Sequence, residues 1–120
     1  MTSRADERYW LEMQALLSSA RVIIDRARGQ PHPRYPELIY PLDYGYLEGT
    51  AAGDGDGIDV WIGTPGSRTL TGILCTFDKV KLDAEVKLLA GCNPADVETI
   101  VHFNDRFMRY LYVPRPSEVP

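Results

Sequence analysis

Three carboxylates fall within six residues in the run Asp54-Gly55-Asp56-Gly57-Ile58-Asp59-Val60, with glycines between them and a β-prone segment directly after. Carboxylates this close repel one another unless a cation sits among them. Oxygen ligands suit Mg²⁺, Mn²⁺ or Ca²⁺ better than zinc or copper. The pattern points to chemistry on something that travels with Mg²⁺, and phosphate is the first candidate. A calcium loop of the EF-hand type needs an acid or Asn at its fifth position and Gly at its sixth. Those places hold Ile58 and Asp59, so the pattern fails. A solvated turn explains Asp54 and Asp56, since Asp and Gly are turn residues. It does not explain Asp59, which sits in a strand, where aspartate is disfavoured.

A second group is Asp78 with Asp83, Glu85 and Lys87. A period of two places the last three on one face of a strand. That face is either solvated, with alternating charges, or a place where a lysine holds phosphate oxygen while acids hold metal. A third group is Tyr40-Pro41-Leu42-Asp43-Tyr44-Gly45-Tyr46. Its tyrosines read as packing and Asp43 as a turn cap. His32 and His102 face no evident partner and read as structural. Cys75 and Cys92 form no close motif and read as small buried hydrophobes in a reducing compartment.

The elements that must carry these groups follow from periodicity. Tyr9, Trp10, Met13, Leu16, Leu17 and Ala20 share one helical face, which predicts a helix from about Ala5 to Ser19, with Ser3 and Asp6 resembling a capping box. Strands are expected over residues 21–26, 38–40, 44–47, 58–63, 69–77 and 83–91, and a last one over 110–113. Residues 27–36 and 50–57 are loops. In the strand over 58–63, Ile58, Val60 and Ile62 face one way, and Asp59 and Trp61 the other. Asn93-Pro94-Ala95-Asp96 starts a second helix, with an Asn cap, Pro at the first position and an acid in the first turn. The tail from Pro114 is expected to be frayed. The fold class is α+β: a small OB-like β-barrel or strongly curved sheet, with an N-terminal helix and one C-terminal helix.

A chain of 120 residues fits one domain, 1–120. Its 44% hydrophobic and 25% charged residues are those of an ordinary soluble globular protein. The core is modest at this length, so homo-oligomerisation would help, and the apolar N-terminal helix could supply the contact. A net charge of −4 argues against a nucleic-acid surface. It does not argue against a phosphate substrate, because bound cations reverse the local sign of an acidic cluster. No apolar run approaches the ~20 residues of a membrane span. The N-terminus lacks the apolar stretch of a signal peptide. The expected setting is cytoplasmic, with no membrane partner.

With these motifs in place, the chain resembles the soluble Mg²⁺-dependent inorganic pyrophosphatases, a family with an OB-like barrel core. Tyr40 to Leu47 resembles that family's Tyr-Pro-x-x-Tyr-Gly block, and residues 54–60 resemble its Asp-x-Asp-x-x-Asp-Val signature, in register. The likeness is best over residues 35–62 and thinner at 22–30 and 72–91. The resemblance implies Mg²⁺, with Mn²⁺ an alternative, held by Asp54, Asp59, Asp78, Glu85 and Asp25. It implies Asp56 as the base for the attacking water and Tyr44 and Lys87 as phosphate ligands; Arg34 or Arg28 is the candidate to substitute for a family arginine that has no aligned counterpart here. It also implies a homo-oligomer acting on pyrophosphate. The chain is short for the family: a hairpin ahead of the Tyr-Pro block is cut away, with an arginine that grips phosphate. Two other readings are therefore carried: action on another small phosphorylated compound, or a non-catalytic metal- or phosphate-binding module.

Overall fold

The computed structural model describes residues 6–53 and 55–117. Two helices and six strands follow one another as α1 (Glu7–Ser19), β1 (Val22–Arg26), β2 (Asp43–Leu47), β3 (Asp59–Ile62), β4 (Leu70–Asp78), β5 (Asp83–Ala90), α2 (Pro94–Asn104) and β6 (Arg109–Pro114). The strands form one mixed sheet in the order β1-β2-β3-β5-β4-β6. Only β3 and β5 run parallel, with β4 crossing over to return on the far side of β5. The class is the expected α+β, with an N-terminal and a C-terminal helix on an OB-like sheet. The sheet is open rather than closed into a barrel: β1 and β6 are its edges, and no pairing joins them among the described residues.

Each face of the sheet has its own core. On one, Trp10 and Leu17 of α1 meet Leu47, Val60, Ile62, Leu70, Ile73 and Leu88. The apolar stripe of α1 is thus spent on its own sheet, leaving Tyr9 and Leu11 exposed. Asp6 caps this helix, its carboxylate accepting from the Arg8 N–H at 3.0 Å. Ser3, expected in that role, lies outside the described residues. On the other face, Trp61, Leu74 and Leu89 meet Val97, Ile100 and Phe103 of α2, with Leu38, Tyr40 and Leu42 from the loop ahead of β2. The alternation read along β3 holds, since Val60 and Ile62 belong to the first core and Trp61 to the second.

Three local expectations change. The strand foreseen at 38–40 reduces to a single bridge between Pro31 and Ile39. Pro36 and Pro41 bracket that segment and cannot donate to a ladder. Along β5 the charged face turns inward: Lys87 is only 3% exposed, while Val86 is 40% exposed. A solvated face of alternating charge is therefore excluded for the end of this strand. The chain is also held past Pro114, because the Arg115 backbone donates to Thr71 O at 3.0 Å and its guanidinium to Gln14 Oε1 at 2.7 Å.

The start of α2 is built as the sequence predicts, with Asn93 as cap, Pro94 in the first turn and a reciprocal bond from Asp96. Asp96 does more than cap. Its buried Oδ2 also accepts from the Thr64 N–H at 3.1 Å and the Thr64 hydroxyl at 3.2 Å. It so fixes the helix to the turn after β3, where Gly63 leaves no room for a Cβ against the Gly91 carbonyl.

Candidate active site

The central strands bring the chemistry-bearing residues together. Tyr44 on β2 pairs with Trp61 on β3, and Val60 with Leu88 on β5. Alternation then places Tyr44, Asp59, Glu85 and Lys87 on the α2 face of the sheet. Gly45 makes the first step tight: a Cβ there would collide with the Ile23 carbonyl of β1. On β1, Ile24 pairs with Gly45 and Arg26 with Tyr44, so Asp25 is the extra residue of a β-bulge. Bulges re-aim a side chain and gather beside active sites.

Lys87 is the hub. Its Nζ donates to Tyr44 Oη at 2.7 Å and to Asp59 Oδ2 at 2.9 Å, and stands 3.6 Å from Glu85 Oε2. The last separation is outside hydrogen-bond range, which leaves one of the three ammonium donors available to a further oxygen. Burial raises the Tyr44 hydroxyl well above the usual phenol range, and the nearby charge of Asp59, which also accepts a hydrogen bond from it, reinforces this. Tyr44 therefore works as a neutral donor. Its ring packs on Trp61 at 4.7 Å and on Tyr40 at 5.8 Å between centroids, so its position is set by the aromatic floor beneath it.

Asp25, Arg34, Tyr44, Asp59, Glu85 and Lys87 all line one cleft of about 290 Å³. Asp56 lines a neighbouring pocket with Tyr46 and Gly57, and the two cavities share Asp25 and Asp59. Asp54 lies outside the described residues. Two candidates are placed elsewhere. Arg28 lines neither cavity; its exposed turn is fastened by a bond from its N–H to Asp43 Oδ1 at 2.8 Å, the cap that Asp43 was expected to supply. Asp78 also lines neither, and its Oδ1 accepts from the Val80 and Lys81 N–H groups at 2.9 and 3.0 Å, closing the β4–β5 turn. The Lys81 bond, with that from Val80, keeps its carboxyl below the ordinary range against the opposing effect of burial.

The cleft also holds residues the sequence did not single out for chemistry: Arg26, Lys81 and His32. Arg26 follows the bulge, and Lys81 sits in a turn of the β4–β5 hairpin. No spacing rule links either to the acids. His32 carried only its place in a proline-rich loop.

The acids at the two cavities offer oxygen donors alone, which is the chemistry Mg²⁺ or Mn²⁺ takes. Among the described residues, no three acid, histidine or cysteine side chains close on one point.

No family model and no curated protein matches the chain. Among solved structures it is similar to an inorganic phosphatase from Anaplasma phagocytophilum, with a TM-score of 0.56 at 17% identity over 82% of this chain and 85% of that one. At this identity the likeness shows the fold alone.

Proposed function

We propose that this protein is a hydrolase of inorganic pyrophosphate that uses Mg²⁺. The observation that carries the reading is the convergence of Asp25, Asp59, Glu85, Lys87 and Tyr44 on one small cleft, with Asp56 in the cavity next to it. The motif likeness over residues 35–62 and the fold shared with an inorganic phosphatase point the same way.

Asp59 with Asp25 would hold the ion, joined by Asp54 from the same signature. When bound, Mg²⁺ would neutralise phosphate charge and acidify a water. The protein's own groups do the rest. Asp56 orients the attacking water and takes its proton. Tyr44, whose one O–H is given to Asp59, would turn it to a phosphoryl oxygen once Asp59 holds the ion, and Lys87 adds its third donor. Arg34 faces the same cleft as a second cation for the leaving phosphate. Lys87 is fixed before substrate arrives, so its charge needs little reorganisation as negative charge builds up on the phosphate.

The test is phosphate release followed by ³¹P NMR with pyrophosphate, a nucleoside triphosphate and a sugar phosphate, each with Mg²⁺ and with a chelator. Release from pyrophosphate alone, abolished by the chelator, is expected. Preference for another phosphate compound would keep the site and change the substrate. Phosphate binding without any turnover would make the protein a binding module.

A further inference from the structure

His32 is built into the cleft more firmly than a loop residue needs to be. It lies between Pro31 and Pro33, which restrict the backbone on both sides. Its ring stacks on Tyr40 at 5.8 Å and an interplanar angle of 4°, and meets Phe107 edge-on at 4.9 Å. Its Nδ1 accepts from two backbone donors, the Arg34 N–H at 3.0 Å and the Tyr35 N–H at 3.2 Å. A ring nitrogen that accepts carries no proton, so the neutral imidazole is protonated at Nε2. That N–H makes no bond to any described residue. The ring lines the same cleft as Asp59, Glu85 and Lys87.

We propose that the His32 Nε2–H is a substrate contact, donating to a phosphoryl oxygen of the anion held in the cleft. The inference rests on the phosphate reading above and adds a residue to it. His32 also suits the place electrostatically. Burial, then Arg26, Lys81 and Arg34, lower its proton affinity, with Glu37 opposing. It donates without adding a charge beside Lys87 and the cleft arginines.

Two variants separate a binding role from a structural one. His32→Asn puts an amide oxygen near Nδ1 and keeps the loop acceptor, but has no donor at the Nε2 place. His32→Gln puts an amide N–H near Nε2. Long-range ¹H–¹⁵N NMR of the unmutated protein should show His32 as the Nε2–H tautomer, and that nitrogen should move when inorganic phosphate is added with Mg²⁺. His32→Asn should melt like the parent yet bind phosphate about ten-fold more weakly and raise KM for pyrophosphate, with His32→Gln closer to the parent. An Nδ1–H tautomer, a static Nε2 resonance under saturating phosphate, or a folded His32→Asn that binds as the parent does would overturn the proposal. Parental hydrolysis of pyrophosphate in those cases would leave the proposed function standing. Failure of the parent both to bind phosphate and to hydrolyse pyrophosphate would overturn the two together. The NMR titration uses the unmutated chain, so it decides even where a variant does not fold.

Discussion

Lys87 concentrates the physics of the site in one side chain. It is 3% exposed and stands between two acids and a phenol, bonding to Asp59 and Tyr44 and facing Glu85. Lys87→Met should therefore cost about 3–5 kcal/mol in urea unfolding, since it removes the buried cation that Asp59 and Glu85 face. Added Mg²⁺ should restore more stability to this variant than to the parent. Tyr44 gives a pH signature. Its folded value lies above the ordinary 10.0, so its contribution to stability is intact below that pH and is lost as pH rises towards the raised value. Absorbance titration should find one tyrosine that ionises only as the protein unfolds. Asp78 separates a turn from a metal ligand. Asp78→Ala should lose about 1–2 kcal/mol, because two N–H groups lose their acceptor. Asp78→Asn should be near parental in both stability and Mg²⁺ dependence. Asp59 was legible from the sequence because an aspartate inside an alternating strand asks for a reason. His32 was not, because its meaning depends on Tyr40 and Phe107, which sequence distance does not connect to it.

At the scale of elements, α2 was legible almost to the residue. Asn93, Pro94 and Asp96 act through local rules that sequence reports directly. What those rules could not report is the second task of Asp96, its hold on Thr64 32 positions away in sequence. Asn93→Ala should cost about 1 kcal/mol, as a lost cap does. Asp96→Ala should cost about 2–3 kcal/mol, since the Thr64 bonds go too; thermal melts of the two variants compare them. In β5 the alternation was correct but its direction was undecided, because period two assigns faces without saying which face is covered. The register with β3 settles it: Leu88 lies beside Val60 in the α1 core, so Lys87 is buried on the α2 face and Val86 is left exposed on the other. The bulge at Asp25 was hidden for a similar reason: it exists only in the register between β1 and β2.

For the whole molecule, the α+β class, the two flanking helices and most strand positions were readable from periodicity and punctuation. The open edge between β1 and β6 was not, since closure depends on long-range pairing that no local pattern encodes. The fold places a shallow aromatic floor from Tyr40, Trp61 and Phe103 under a rim of acids and cations. That combination gives a rigid base with a charged mouth, the arrangement expected for a small polyanion and its metal. The most direct measurement is the initial rate of Mg²⁺-dependent phosphate release from pyrophosphate by the parent and by Asp56→Asn, with unfolding curves showing both folded. Release by the parent that falls at least ~100-fold in the variant is predicted, as loss of a positioned general base implies. Equal rates in the two proteins, or no release from a folded parent with Mg²⁺ present, would contradict the assignment of this cleft to pyrophosphate hydrolysis.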